Sequence, residues 1–525
     1  MAFSLLTWAS FALTIYLSTN LVLRLRKHRS DRQFARAHGC LPPKVAFIQP
    51  IFPFSLIQLF EFKAAADEKR YVNFVYDRFC QYGPTRVYRL LTGPASVVVT
   101  SDPENLKTVL ATSFHDFELG RERHAAFSEL LGDGIFTTDG KMWEHARALL
   151  RPQFTKDQIA DLEDLEVHFQ HLLAVLSPQE GEVVNLHTLF LSLTLDSATA
   201  FLFGNSLYSL RNRIPGTEVL PGSSGDESRQ FEDDFDYCQN ALGFRLLIWD
   251  YRWLYNPKRL PGAIANIHKY VDQFIGAALQ NRENGEVSKN QGKYVFLAAL
   301  AQDTQDAKVM RDQSLSALLA GRDTTATLLS WTFWLLAKHP RVWRRLREDI
   351  LKNIGQKKPT YQQLKDCSYL KWVLNEVLRL YPVVPVNFRC CKRNTTLPRG
   401  GGADGSGPIF VPKGARIFYS VYVLHRSKAI YGEDAEVFRP ERWGDGKARG
   451  WEYIPFNGGP RICIGQQMAL TTASYVIVRL LQHFERIEDV DVDVDGLVKT
   501  DLGLTLSPTN GTRVRLFRDA NAPLR

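Results

Sequence analysis

The sequence predicts a mainly α-helical fold with small β-sheets, preceded by an N-terminal transmembrane anchor helix. Helical spacing of apolar residues dominates the region from about residue 100 to residue 380. Short runs of β-branched and aromatic residues flank that region, which is typical of strands in small sheets. The first 23 residues carry no charge. A chain of 525 residues with 45% hydrophobic residues is also long enough to bury a large core.

The uncharged run over residues 1–23 is long enough, at about 1.5 Å per residue, to cross a hydrocarbon core about 30 Å thick. It lacks the positive start and the small-residue cleavage site of a cleaved signal peptide. Residues 24–45 follow as a basic flank and a proline hinge, "GCLPPK". Because positive flanks remain in the cytosol, the following domain is predicted to be cytosolic. An amphipathic or buried helix is the alternative interpretation.

Residues 46–525 are predicted to form one catalytic domain, since no linker divides the helical region. Its helices include "MWEHARALLRPQF" and "SLSALLAGRDTTATLLSWTFWLLAKHP". Its predicted strands are "TRVYRLL" and "ASVVVT" near the start, and "PIFVPKGARIFYSVYVL" and "GLTLSPTNGTRVRLF" near the end.

The charge and the cysteine content limit the classes of partner and compartment. A formal charge of +9 favours an acidic partner or an anionic membrane surface. The basic residues are not gathered with aromatic residues, so no nucleic-acid partner is expected. The seven cysteines include the vicinal pair Cys390 and Cys391 but no C-x-x-C spacing. This pattern indicates a reducing compartment rather than a disulfide framework or a zinc site.

The segment "GGGADG", residues 400–405, matches the spacing G-x-G-x-x-G of dinucleotide-binding loops. Such a loop needs a strand before it and a helix after it. Here "SGPIFVPKGARIF" follows, which reads as a strand with prolines. The segment is therefore predicted to be a hairpin loop, and electrons for any redox reaction are expected from another protein.

The segment "FNGGPRICIGQQ", residues 456–467, places Cys463 in a glycine-rich turn just before a helical pattern. Glycines let the backbone approach a flat cofactor closely, and a helix N-terminus lowers the pKa of a thiol. A packed structural cysteine is the alternative interpretation. Both features favour a thiolate that acts as a metal ligand.

The positions of five residues in this segment resemble the haem-binding signature F-x-x-G-x-R-x-C-x-G of the cytochrome P450 superfamily: Phe456, Gly459, Arg461, Cys463 and Gly465. The resemblance implies the fold of that superfamily and haem b (iron protoporphyrin IX), with Cys463 as the axial thiolate and Arg461 on a propionate. It further implies a monooxygenase of the endoplasmic reticulum membrane. Its electrons would come from NADPH through a flavoprotein reductase.

Further motifs resemble the family's in the same order. Glu376 and Arg379 form an E-x-x-R pair, and Arg442 in "FRPERW" would complete a buried structural network. The resemblance also implies propionate contacts from a W-x-x-x-R pair one helical turn apart and from a later arginine: Trp143, Arg147 and Arg389.

The segment "LLAGRDTTATLLSW" places polar residues inside an apolar helix, where buried polar groups need partners. A solvated stripe on a surface helix is the alternative interpretation. The segment resembles the family motif A-G-x-[DE]-T-T, which implies that Thr324 steadies bound dioxygen while Asp323 relays protons from solvent. Some relatives act without O₂ and can dispense with this acid and alcohol pair. Because the pair is intact here, an activity without O₂ is disfavoured.

Three segments carry a closer resemblance: "HDFELGRERHAAFSELLGDGIFTTDGKMWEHARALLRPQFTKDQIA", "AGRDTT" and "TTLPRGGGADG". From about residue 110 onward, they make the sequence resemble the fungal branch of the family that hydroxylates n-alkanes and long-chain fatty acids at or near the methyl terminus. The candidate pocket segments are residues 117–136, 318–324, 383–387 and 504–509. Oxidation of an alkyl chain in a secondary-metabolite pathway is the first alternative. A haem-binding sensor without catalysis and a nicotinamide-dependent oxidoreductase are two others. As a hypothesis, the reductase would dock near Arg147, Arg151 or Lys156.

Overall fold

The structure, a computed structural model, describes residues 2–49, 61, 63–90, 96–214, 225–284, 295–446, 449–491 and 498–518. Over these residues the chain is mainly helical. The α-helices in chain order are α1 (Ala2–Ala37), α2 (Tyr71–Tyr82), α3 (Pro103–Lys107), α4 (Arg121–Leu131), α5 (Gly140–Leu150), α6 (Lys156–Ala160), α7 (Glu163–Leu176), α8 (Leu186–Phe203), α9 (Gly225–Ile248), α10 (Leu260–Glu283), α11 (Phe296–Asp303), α12 (Ala307–Lys338), α13 (Pro340–Asn353), α14 (Tyr361–Asp366), α15 (Ser368–Leu380), α16 (Val421–Leu424), α17 (Lys428–Tyr431) and α18 (Gln466–His483).

The strands belong to small sheets. They are β1 (Ala46–Gln49), β2 (Thr85–Leu90), β3 (Ser96–Thr100), β4 (Phe117–Glu118), β5 (Val183–Asn185), β6 (Val386–Cys391), β7 (Thr395–Gly401), β8 (Gly407–Val411), β9 (Arg416–Ser420), β10 (Phe484–Asp489), β11 (Thr500–Leu502), β12 (Leu506–Pro508) and β13 (Arg513–Arg518). One sheet has the order β1-β2-β3-β9-β6-β4 and another has the order β10-β13-β5. The pairs β7-β8 and β11-β12 are separate ribbons.

One compact unit comprises Met1–Gln58, Arg78–Glu118 and Phe388–Tyr419. It contains α1 and most of the first sheet. Strands β7 and β8 are antiparallel, so the glycine-rich segment between them is a hairpin loop, as predicted. The proline hinge after α1 runs along this hairpin. Its Leu41 N–H donates to Pro408 O at 2.8 Å, and its Lys44 N–H donates to Gly400 O at 2.8 Å.

The second unit comprises Leu59–Asp77, Leu119–Asn387 and Ser420–Arg525. Its central helix is α12, which packs against α8, α10, α15 and α18. The Asp306 carboxylate caps the start of α12 by accepting the N–H groups of Lys308 and Val309. Apolar side chains such as Leu315 and Leu329 are fully buried. This packing places α12 at the centre of the unit's core.

The predicted anchor lies in α1, which continues without a break through the basic flank to Ala37. Its apolar side chains are exposed, including Trp8, Phe11 and Ile15. In the described part of the chain, Leu186–Phe203 is the one helix whose length and hydropathy satisfy the criterion for a membrane crossing. That helix is 72% buried and packs in the core against α12. Met1 and residues 519–525 lie outside the described residues.

One predicted strand is wrong at its end. The segment "VYVL" was predicted to continue a strand, but it forms the short helix α16. The Ser420 hydroxyl accepts the Val423 N–H at 3.2 Å, and this cap ends β9 and starts the helical turn. The other predicted strand segments do contain strands. "TRVYRLL" forms β2, "ASVVVT" forms β3, "PIFVPKGARIFYS" covers most of β8 and all of β9, and "GLTLSPTNGTRVRLF" covers β12 and most of β13.

Candidate active site

The loop that carries Cys463 is closed by its own backbone and ends at α18. The Cys463 N–H donates to Phe456 O at 3.0 Å, and the Ile462 N–H donates to Gly459 O at 3.0 Å. Gly459 has a φ of +67°, a conformation that favours glycine. A Cβ at Gly458 would lie 2.5 Å from the Trp451 ring. The glycines are therefore needed for this tight path.

The Cys463 sulfur has both a donor and a nearby cation. The backbone N–H of Gly465, at the start of α18, forms a hydrogen bond with the sulfur. Burial raises the pKa of the Cys463 thiol, while this bond and the charge of Arg147 lower it. The side chain is nevertheless solvent-accessible.

Helix α5 supports the loop with an aromatic side chain and a cation. Trp143 is buried, and the Arg461 guanidinium lies 4.2 Å from its ring centroid. Arg461 also donates to Asp139 at 2.7 Å and to Thr138 O at 3.0 Å. The Arg147 guanidinium donates to Ile462 O at 3.1 Å. The structure thus brings Trp143, Arg147 and Arg461 together with the cysteine loop.

A cavity of about 710 Å³ opens beside this loop, within the usual volume range of ligand sites. Its walls include Trp143, Phe154, Ile462 and Ile464. Arg147 and Arg151 line it as well. The cavity is therefore largely apolar, with basic side chains at its wall.

Near its middle, α12 presents a stripe of small accessible residues on one face, while the partly accessible Leu319 lies on the opposite face. Ala317, Ala320, Gly321 and Thr324 are accessible, whereas nearby Leu318, Arg322 and Thr325 are buried. Positions three and four apart lie on one face of a helix, so the stripe is continuous. The Thr324 hydroxyl donates to Ala320 O at 2.6 Å. This face offers small residues and one hydroxyl to the space beside the core helix.

Asp323 points away from that stripe. Its carboxylate accepts a hydrogen bond from Arg322 at 3.0 Å, and the Gln239 side chain of α9 lies close enough to lower its pKa. Burial and the nearby Asp236 carboxylate raise the pKa of Asp323 to about 6, although Arg322 opposes that shift. An acid with this pKa can take up and release a proton near neutral pH.

The sequence analysis included Arg322 in the candidate pocket segment 318–324 but assigned it no role. Its side chain is 1% exposed and pairs with Asp236 on α9 as well as with Asp323. The only signal in the sequence was an arginine within an apolar helix, because its partner lies 86 residues away in the chain.

Glu376, Arg379 and Arg442 form one buried cluster. The Nε and Nη2 atoms of Arg379 each donate to the Glu376 carboxylate at 2.9 Å, and the Arg442 Nε donates at 2.8 Å. Arg379 also donates to the carbonyls of His425 and Ala435. These contacts hold α15 against the segment that leads towards the cysteine loop.

Arg389 lies on strand β6. The part of β6 from Phe388 onward, which includes Arg389, belongs to the first compact unit. Its guanidinium donates to Phe388 O at 2.7 Å and lies 5.8 Å from the Tyr419 ring centroid. Its role towards a propionate remains a prediction.

Three of the candidate pocket segments contact one another in the second unit. The Leu506 N–H donates to Val383 O at 3.0 Å, and Trp331 of α12 donates to Leu506 O at 2.6 Å. On α4, Arg123 donates to the Asn387 side chain at 2.8 Å. The segments around residues 123, 383–387 and 504–506 therefore surround one region next to α12.

These residues fit a haem held by a thiolate. The Cys463 thiol is accessible, and its glycine-rich loop lines a cavity through Gly459 and Ile462. The Arg147 and Arg461 cations beside it suit carboxylate groups, although Arg461 is also paired with Asp139. The accessible face of α12 carries small residues, which leave room for a flat group.

The fold and the site therefore define a cysteine-ligated haem protein, and comparison with known proteins identifies the family. The family model "Cytochrome P450" matches residues 50–512. The chain belongs to the cytochrome P450 family, and it is a monooxygenase.

Similar proteins include "Cytochrome P450 52A3-A" of Candida maltosa, 47% identical over 83% of this chain and 84% of that protein. "Cytochrome P450 52A1" of Candida tropicalis is 41% identical over 97% and 94% of the two chains. "Cytochrome P450 monooxygenase g430" of a Fusarium species is 41% identical over 98% and 90%.

Proposed function

We propose that this monooxygenase is held in the endoplasmic reticulum membrane by α1 and hydroxylates long-chain fatty acids or n-alkanes at or near the methyl terminus. The observation that carries the proposal is an accessible Cys463 thiol in the same unit as the accessible stripe of α12. We assign both to one reaction chamber. The predicted single-pass topology would leave the catalytic part in the cytosol.

The reaction consumes one O₂, two electrons and two protons for each C–H bond hydroxylated, and it releases one water. When bound, the haem supplies the activation of O₂ that this oxidation requires. Cys463 would hold the group through its sulfur. Trp143, Arg147 and Arg461 would contact its carboxylate side, where their charges and hydrogen-bond donors suit propionates.

The remaining chemistry is proton transfer by side chains of α12. Thr324 presents a hydroxyl on the accessible stripe, where its oxygen can accept a hydrogen bond from a water while its proton is donated to Ala320 O. Rotation of the hydroxyl away from Ala320 would let it donate to dioxygen. Asp323 has a pKa of about 6 and can therefore give up a proton and regain one from solvent in each cycle. We assign proton supply to Asp323 and positioning to Thr324.

The substrate class is proposed from the apolar segments next to α12 and from the exposed apolar side chains of α1. Phe136 and Val384 are both partly exposed, and Leu504 packs against the core beside α12. Such walls favour an alkyl chain over a polar ligand. An alkyl substrate concentrates in a bilayer, so an enzyme anchored there would find it at a high local concentration.

The electron donor is proposed to be a flavoprotein reductase that oxidises NADPH. Arg147 and Arg151 line the cavity beside the cysteine loop, and Arg151 is exposed. The side chain of Lys156, the third residue of the docking hypothesis, lies outside the described residues. Reversing the charge with Arg151→Glu should slow reduction and weaken its salt dependence. The matched change Arg341→Glu on α13 should do neither, and equal effects of the two changes would contradict this docking site.

The experiment that tests the function supplies the membrane-bound enzyme with reductase, NADPH and a panel of long-chain fatty acids and n-alkanes. Hydroxylation at or next to the methyl terminus is expected. Enzyme whose reduced carbon monoxide spectrum shows an intact thiolate haem, yet which turns over no member of the panel, would overturn the substrate proposal. The alkyl chain of a secondary metabolite would then be the substrate to test.

A further inference from the structure

A buried guanidinium joins the proposed proton relay to the surface of α9. The Nη1 atom of Arg322 donates to the Asp323 carboxylate at 3.0 Å and also to the Asp236 carboxylate. Arg322 is 1% exposed, whereas the side chain of Asp236 is 45% exposed. Arg322 therefore bridges a buried acid and an acid in contact with solvent.

The charges around this bridge are unbalanced. Glu232, also on α9, lies 3.8 Å from the Nη2 atom of Arg322, so one guanidinium faces three carboxylates. Arg213 and Ser192 contact Glu232, and Gln239 lies next to Asp323. Two titratable groups on α8 also face the cluster: His187, whose pKa is lowered to about 4 by burial and by Arg322, and Asp196, whose pKa is raised to about 7 by burial and by the charge of Glu232.

This imbalance determines which carboxylate binds a proton most readily. Three ionised carboxylates against two cations, Arg322 and Arg213, leave one excess negative charge, and protonation of the most buried of the three carboxylates relieves it at the lowest cost. That member is Asp323, whose side chain is 12% exposed, compared with 16% for Glu232 and 45% for Asp236. The neutral His187 supplies no compensating charge.

We infer that Arg322 and Asp236 are positioning residues that hold Asp323 towards α9 and set its proton affinity. Asp323 then regains its proton from solvent beside Asp236 after each delivery to the chamber. One proton enters and one leaves, so the carboxyl group is restored. This inference rests on the proposed role of Asp323 as the proton relay.

The test is an infrared titration of the resting holoenzyme with labelled aspartate. The carboxyl band of Asp323 is identified because it is absent in Asp323→Asn. Arg322→Gln removes the nearby cation and should raise the midpoint of that band by about one to three pH units. Asp236→Asn removes a negative charge and leaves Arg322 with two carboxylates, Asp323 and Glu232, instead of three, so it should lower the midpoint. The matched change Asp233→Asn, on the exposed side of α9, should leave it in place.

A second readout links the titration to catalysis. The pH at which product formed per NADPH is half-maximal should move with the infrared midpoint in each variant. If Arg322→Gln does not fold, two milder changes replace it in the test. Arg322→Lys retains the positive charge, and Asp236→Asn alters an accessible residue. An infrared midpoint that is the same in the wild type, Arg322→Gln and Asp236→Asn would overturn the inference. Unchanged coupling in Asp323→Asn would instead refute the relay role itself, so the two failures are distinguishable.

Discussion

The change Glu376→Gln tests whether the Glu376, Arg379 and Arg442 cluster is structural. Both Glu376 and Arg379 are 0% exposed. The carboxylate accepts five hydrogen bonds of 2.8–3.0 Å, from Arg379 twice, the Arg439 N–H, Arg442 and Trp443. The amide of glutamine would turn its own NH₂ towards at least two of these donors. It would also leave the Arg379 cation buried without its counter-charge.

Breaking a buried ion pair by removing one partner costs about 3–5 kcal/mol. A typical domain has a free energy of unfolding of about 5–15 kcal/mol, so Glu376→Gln should remove a large part of it. The assay is urea unfolding of the holoenzyme, followed by circular dichroism and by the thiolate-haem spectrum. The control is Glu441→Gln, because Glu441 is 43% exposed in its pair with Arg345. Its cost should stay within about 1 kcal/mol.

If the cluster is structural, the circular dichroism signal and the thiolate-haem spectrum should be lost at the same urea concentration. If Glu376→Gln unfolds at the same urea concentration as the wild type but no longer turns over substrate, the cluster acts in catalysis and the reasoning is refuted.

Three further predictions follow from other residues. Thr324→Ala should lower product and raise hydrogen peroxide per NADPH, because the accessible hydroxyl is lost, and unchanged coupling would contradict its role. Gly458→Val places a side chain 2.5 Å from the Trp451 ring, so haem content per protein should fall steeply, and normal content would show that the loop tolerates the displacement. Burial and neighbouring arginines lower the pKa of His425 to about 3, and its ring accepts the Ile454 N–H at 2.9 Å. Between about pH 6.5 and pH 3, His425 is protonated in the unfolded chain but not in the folded one, so its contribution lowers the free energy of unfolding as the pH drops through that range. His425→Gln should reduce the slope of the free energy of unfolding against pH by up to about 1.4 kcal/mol per pH unit.

The sequence predicted well those features that depend on neighbouring residues. The cysteine loop and the start of α18 follow from glycines within a few residues of Cys463. The hairpin at residues 400–405 follows from the strand pattern on both sides. The end of β9 was missed because a single cap at Ser420 outweighs the strand preference of "VYVL".

The sequence could not predict features that depend on distant parts of the chain. The role of Arg322 was not predicted because its partners, Asp236 and Glu232, lie on α9, and nothing local marks them as neighbours of α12. The direction of Asp323, towards α9 rather than along the accessible stripe, follows from the same packing. Periodicity identifies a buried helix, but it does not identify which charges lie across from it.

The most direct test of the central claim is mass spectrometry of the product formed from a long-chain fatty acid under isotopically labelled dioxygen. Wild-type enzyme with reductase and NADPH should give a hydroxylated chain carrying one labelled oxygen atom, and Cys463→Ser should give none. A product oxygen that comes from water, or a Cys463→Ser enzyme that labels product as the wild type does, would contradict the claim.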